Sequence, residues 1–261
     1  MQRCCLAWVA LLLLGGAAEG RELRVCADPS NLPFSSERLD GFENEIIAVV
    51  ARALNAVPTY TWWAQRRGFV YDALDTGRCD VVPGARSTME MLRTTAPYYR
   101  STYVLVTRQD GPQIRSLDDP ALRHLTMGVQ LIGDDGANKP PAHALARRGL
   151  YNVRGYPVYG DYRGESPPAR IVASVAQGEL DVAFVWGPVA GYFARQQPVR
   201  LRLTPVEASP GEQPMAFDIA MGVRKDDVAL HDAIDAALAR HRDEIGAILR
   251  AYAVPLAEPG R

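Results

Sequence analysis

Short apolar runs alternate with helical stripes along this chain. Leu23-Arg24-Val25-Cys26-Ala27 is apolar and bounded by Asp28-Pro29, the mark of a buried strand. The loop from Asp28 to Phe34 carries polar side chains and two prolines that restrict its backbone. Asp40-Gly41-Phe42-Glu43 reads as a capping box, with Asp40 as N-cap and Glu43 three residues on. Ile47, Val50, Ala51 and Leu54 then recur on one helical face, and Asn55 is the stop. Thr59 to Trp63 is β-branched and aromatic, a second strand. A short helix is predicted over Phe69–Thr76, stopped by Gly77, before a third strand at Asp80-Val81-Val82. Strand, helix, strand, helix, strand predicts a parallel α/β layer with right-handed crossovers.

The same unit recurs about a hundred residues later. Ser166-Pro167 caps a helix carrying Ile171, Val172 and Val175, Gly178 stops it, and Glu179 to Val185 is a strand. Both copies read helix, Gly, two residues, Asp-Val: Gly77…Asp80-Val81 and Gly178…Asp181-Val182. Two similar α/β lobes would produce that pattern. Tyr98 to Arg108 is the candidate first crossing between them, and Met215 to Val223 the second. Lobe two opens with a strand at Leu125–Val129, and a helix is predicted from Pro140 to Gly149. The span from Arg154 to Pro168 reads as a long polar loop. Two amphipathic helices follow, marked by Leu230, Ile234, Ala237 and Leu238, then by Ile245, Ile248, Leu249 and Tyr252. The expected division is residues 21–106 with 217–261 as lobe 1, and 107–216 as lobe 2.

Residues 1–20 resemble a secretory signal: Arg3, an apolar run from Leu6 to Leu14, then Gly16-Ala17-Ala18. The run is short for a bilayer span, so the mature chain is expected to be exported, with no membrane span. The formal net charge is −1, which leaves no electrostatic footprint for nucleic acid or an anionic membrane. Lys139 and Lys225 are the only lysines, so most basic residues are arginine. Cys4 and Cys5 lie in the signal, leaving Cys26 and Cys79 as a candidate disulfide. Against it, neighbouring parallel strands in register would hold these two apart, since Cys26 is late in its strand and Cys79 early.

There is no nucleophile elbow, no H-E-x-x-H, no P-loop and no G-x-G-x-x-G. His124, His143, His231 and His241 have no Cys or carboxylate at ligand spacing. No catalytic residue, metal site or cofactor is therefore assigned. Gly133-Asp-Asp-Gly-Ala-Asn138 lacks EF-hand spacing and reads as a turn before a helix, whose amides could hold an anion. Aromatic residues cluster at strand ends and in the loops after them, where ligands sit in open α/β sheets. The candidate ligand-binding set is Asp28, Asn31, Phe34, Phe42, Glu43, Trp63, Arg66, Arg86, Tyr98, Gln130, Asp134, Asn138 and Trp186.

The order "LRVCADPSNLPF", "GFENEI", "YTWWAQRRGFV", "CDVV", "PYYRSTYVLV", "GVQLIGDDGANKPPAHAL", "VYGDY" and "GELDVAFVWGPVAGYF" resembles the periplasmic solute-binding proteins of ABC transporters. More narrowly it is similar to the quinoprotein-dehydrogenase-associated type, MoxJ/XoxJ. The resemblance implies an α/β periplasmic binding protein of type II, two lobes joined by two hinge crossings. It also implies a partner, a PQQ-dependent alcohol dehydrogenase, typically a methanol dehydrogenase, with its cytochrome c as a second candidate. Amino-acid-binding relatives carry an Arg three residues after a Thr or Ser, which grips the ligand carboxylate. Here Ser87-Thr88-Met89-Glu90-Met91 puts Glu and Met there; Arg86 or Arg93 could substitute, but neither has that spacing.

Three readings follow. The favoured one is a non-enzymatic periplasmic accessory protein of such a dehydrogenase, with a small ligand or peptide in the cleft. The alternative is a conventional solute-binding protein for a small polar solute. The third is an enzyme such as a dehydratase using Asp28, Glu43 or Asp181, and it lacks any nucleophile–base pair.

Overall fold

The computed structural model describes residues 21–64, 68–131, 139–158 and 166–258. The predicted signal and the candidates Arg66, Asp134 and Asn138 lie outside the described residues. In chain order the elements are β1 (Arg21–Ala27), β2 (Ser30–Asn31), β3 (Ser35–Ser36), α1 (Phe42–Ala53), β4 (Ala56–Trp62), β5 (Val81–Arg86), β6 (Arg93–Thr94) and β7 (Tyr99–Arg108). Then come β8 (Met127–Leu131), α2 (Pro140–Arg147), β9 (Val153–Pro157), α3 (Ala169–Ala176), β10 (Val182–Trp186), α4 (Gly187–Ala194) and β11 (Leu201–Pro205). β12 (Ala216–Val223), α5 (Val228–Arg240) and α6 (Arg242–Ala251) close the chain.

The strands run in the order β4-β1-β5-β12-β7-β10-β8-β9, with β11 also on β7 and β6 on β12. β1 is parallel to β4 and β5, and β8 is parallel to β10 and β9, so each half has its own parallel trio. The two trios meet on β7. Its residues Tyr99–Thr102 pair antiparallel with β12, and from Tyr103 onward it pairs with β10 and β11. The ladder is continuous, but the cores are separate. In the first half Val25, Ile46, Ile47, Val50, Met221 and Ile234 pack together. In the second half alternation along the strands splits the apolar residues between two faces. Leu105, Val182 and Phe184 face Val129 and Leu145, while Val104, Val106, Ala183 and Val185 face Ile171, Val172 and Val175.

The repeated Gly-x-x-Asp-Val unit is a repeat in space as well. Gly77 and Gly178 both take positive φ, +73° and +78°, the conformation glycine adopts at least cost. The Asp80 amide donates to the Arg24 carbonyl at 2.7 Å, and the Asp181 amide donates to the Thr126 carbonyl at 3.0 Å. Each aspartate thus ties its strand to the start of the parallel neighbour.

Several expectations are corrected. The N-cap of α1 is Gly41, not Asp40. A Cβ at position 41 would collide with the Phe34 carbonyl, so the loop crosses too closely for any other residue. Asn44 takes the role expected of Glu43, its Oδ1 accepting from the Gly41 and Ser36 amides at 3.2 and 3.1 Å. Asp40 instead accepts from the Ser36 hydroxyl and from Arg38. The predicted helix at 69–76 is a π-helical turn, Val70–Asp75. The polar stretch after Arg154 holds an edge strand, β9, and α4 and β11 were not foreseen. Cys26 and Cys79 are bonded, their Cα atoms 5.4 Å apart. The register objection fails because Cys79 lies in the turn before β5, outside the ladder that sets Val25 opposite Val81.

Candidate functional site

The two halves meet around Trp186. It ends β10 and is the N-cap of α4, and its indole packs against all three large apolar clusters. Its ring centroid lies 5.2 Å from Tyr103 and 6.0 Å from Phe217, and those two are 6.5 Å apart. Tyr103 is supplied by β7 and Phe217 by β12, so the crossing strands themselves build the aromatic trio. The Trp186 amide donates to Oε1 of Gln130 at 3.1 Å, which joins the ends of β10 and β8. From the other half, Arg86 at the end of β5 places its guanidinium 5.5 Å from the Phe217 ring centroid. Burial raises the Tyr103 phenol pKa, and the charge of Arg86 opposes that rise. The carboxyl ends of β5, β8 and β10 thus converge, as expected for the ligand end of an open α/β sheet.

The first loop borders this region. Leu32 and Phe34 pack against the same second-half cluster as Trp186, and the Ser166 hydroxyl lies 3.4 Å from the Leu32 carbonyl. Asp28 is buried, its carboxylate accepting from the Ser30 amide at 2.9 Å and its carbonyl from the Ser35 hydroxyl at 2.8 Å. Asn31 pairs with Ser35 in the β2–β3 hairpin.

Other expected members are elsewhere. Phe42 is fully buried, meeting the rings of Phe34, Tyr99 and Tyr252 at tilted or edge-on angles, and belongs to the core rather than to the gap. Trp63 is 37% exposed beside the outer strand β4, with the Arg78 guanidinium 5.2 Å above its ring. Tyr98 donates to the Pro83 carbonyl at 3.0 Å, and burial raises its phenol pKa. Glu43 is a buried carboxyl facing Gly84, where a Cβ would collide with its Oε1. Burial pushes its pKa up to about 8. Asp181, offered as a catalytic carboxylate, accepts from the Thr126 amide at 2.7 Å and is a structural tie. Of the two substitute arginines, Arg93 donates to the Lys225 carbonyl at 2.8 Å, leaving Arg86 beside the trio. Among the described residues no group of three or more His, Cys, Asp or Glu could hold a metal ion.

Phe217 was missed as a candidate, and Tyr103, one of the aromatic residues at the strand ends, was left out of the candidate set. Both sit inside apolar crossing strands, where an aromatic reads as core. Lys139 is half-buried at the N-cap of α2, and burial, followed by the charge of Arg86, pushes its pKa down to about 8.

A hinge of two crossing strands, parallel trios on either side and convergent strand ends define the type II periplasmic binding protein fold. The chain belongs to the bacterial extracellular solute-binding proteins, family 3, which it matches over residues 23–253. Within that family it is similar to MoxJ of Methylorubrum extorquens, 36% identical over 244 residues, covering 90% of this chain and 81% of MoxJ. The crystal structure of periplasmic binding protein XoxJ from Methylobacterium extorquens superposes with a TM-score of 0.75 at 33% identity, covering 91% of this chain and all of that one. The crystal structure of MxaJ from Methlophaga aminisulfidivorans gives 0.78 at 25% identity, over 90% of this chain and all of that one. Among the described residues no helix is long and apolar enough to cross a membrane.

Proposed function

We propose that this protein is a periplasmic accessory binding protein of a PQQ-dependent alcohol dehydrogenase of the methanol-oxidising kind, aiding its maturation or activation without catalysing a reaction itself. The similarity to MoxJ and XoxJ along nearly the whole chain carries the reading. Two features of the chain support it. Glu90 and Met91 stand where amino-acid binders carry their carboxylate Arg, and aromatic side chains from both crossing strands, Tyr103 and Phe217, pack around Trp186. Residues 21–106 with 217–261 form one lobe and 107–216 the other, and the lobes close on the occupant by bending at β7 and β12. Tagged mature protein incubated with periplasmic extract should recover a quinoprotein dehydrogenase or its cytochrome c. Recovery of neither would sink the accessory role.

Membership of a solute-binding family supports the second reading, delivery of a small polar solute to a permease. A ligand that binds only the folded chain raises its melting temperature. A strong stabilisation by an amino acid in a thermal-shift screen would favour that reading instead.

A further inference from the structure

The chain beyond α6 crosses the hinge and touches both halves. Tyr252 is anchored to the first half, its hydroxyl within hydrogen-bond reach of the Asp40 carbonyl at 2.9 Å and of Glu45 Oε1 at 2.7 Å. Ala253 then takes φ +53°, a left-handed conformation that costs a residue with a side chain and persists only where its surroundings hold it. Val254 is buried in the first-half core. The Pro255 carbonyl accepts from the Ser101 hydroxyl at 2.6 Å, Leu256 bridges Ser101 antiparallel, and the Ala257 amide donates to the Arg100 carbonyl at 2.9 Å. β12 holds one edge of β7 at these residues. The tail therefore takes the other edge, the one that β10 covers from Tyr103 onward.

The same segment meets the second half through α4. The guanidinium of Arg195, at the end of α4, donates to the Ala251 carbonyl at 2.6 Å. The Tyr192 ring stacks on Tyr252, with centroids 5.7 Å apart and planes at 15°. Gly187 and Gly191, four residues apart, lie on one face of α4. A Cβ at 191 would collide with the Ala253 carbonyl, and one at 187 with the Thr102 carbonyl and the Ser101 hydroxyl. α4 thus gives up side chains where the tail and the crossing strand pass. Bending at β7 and β12 moves α4 relative to α6, so it must slide or part these contacts together. A glycine face, a stacked ring pair and a charged hydrogen bond fit in one position and do not deform continuously.

We propose that Tyr252–Ala257 is a latch across the hinge that fixes the angle between the halves. An occupant that changes that angle must first part the tail from α4. From the accessory-protein reading this uses only the bend at β7 and β12.

Spin labels at D75C and R123C, exposed positions on the first and second halves, report the distance between the halves in the mature chain by electron–electron double resonance. With the latch intact the distance distribution should be narrow. G191A, R195Q and a chain ended after Val254 should each shift its mean by more than about 2 Å or broaden it, the shortened chain most. Ending there leaves Val254 in the core, and Arg195 is exposed, so R195Q keeps a folded variant in the series. Thermal melts report whether the other two fold. A wild-type distribution that is already broad, or one unchanged in every folded variant, would overturn the proposal. Capture of the dehydrogenase from periplasmic extract is read separately. Shifted distances in the variants with no capture by the wild type uphold the latch and overturn the accessory role alone. Capture by the wild type with unshifted distances in the variants does the reverse.

Discussion

The two Gly-x-x-Asp-Val units do the same job by different means. In the first half Asp80 is gripped by Arg24 through Nε and Nη2 at 2.8 and 2.6 Å, and by Arg224 at 2.9 Å. Burial alone would raise its carboxyl pKa, but the hydrogen bonds from the two guanidiniums hold it below the ordinary range. The Cys26–Cys79 bond locks the same junction. In the second half the carboxylate of Asp181 accepts from one backbone amide, Thr126, at 2.7 Å. The first half therefore carries its register in side-chain chemistry, a covalent bond and ion pairs. The second carries it in backbone hydrogen bonds and apolar packing. The ends of the strands differ too: β5 ends in a cation, Arg86, and β10 in an aromatic, Trp186. A duplicated frame thus presents two chemistries to the gap between its copies.

The largest test of this contrast is pH. Glu43 belongs to the first half, and its folded pKa of about 8 lies above the ordinary 4.5. Below about 4.5 the carboxyl is protonated whether the chain is folded or not, so its contribution is fully present. Between 4.5 and about 8 only the unfolded chain gives up the proton, so stability falls as pH rises. At roughly 1.4 kcal/mol per pKa unit the loss is on the order of 4 kcal/mol. Urea unfolding at pH 5 and pH 8 should show that loss in the wild type and not in E43Q. Parallel behaviour of the two proteins would mean that Glu43 is not held neutral by burial.

Removing the covalent tie ranks next. C26S/C79S opens a loop closed over a separation of 53 residues, costing about 4 kcal/mol in the chain-entropy model. The loss should appear as a lower urea midpoint, and reductant should reproduce it in the wild type. The smallest effects compare the two aspartates directly. D80A strands two partly buried guanidiniums and should cost about 2–3 kcal/mol, whereas D181A removes one acceptor and should cost about 1 kcal/mol. Equal costs would dissolve the contrast between the halves.

Much of the frame was legible in the residues. Periodicity marked β1, α1, the two crossings and the C-terminal helices, because each buries one face or stripe and so repeats at its own period. The duplicated Gly-x-x-Asp-Val was legible because positive φ favours glycine and a strand start needs a tie. The site was legible only at strand ends: Trp186, Arg86 and Gln130 were expected there and converge. Glu43 misled because a capping carboxylate and a buried one look alike in sequence, and only the close approach of Gly84 tells them apart. Phe42 misled for the same reason, since an aromatic beside a loop can turn inward. Tyr103 lies in an apolar strand whose pairing sets it opposite Trp186, and Phe217, hidden in the other crossing strand, meets the same indole by a ring contact.

The order of residues by itself determined many of the strands and helices, that the α/β unit occurs twice, and that Cys26 and Cys79 are candidates to pair. Those are local properties, set by side-chain period, turn chemistry and composition. Folding alone decided that Cys79 leaves the ladder to meet Cys26, and that Tyr103, Trp186 and Phe217 share one place with Arg86. Those neighbours are far apart along the chain, and only the antiparallel pairing of β7 with β10 and β12 brings them within reach.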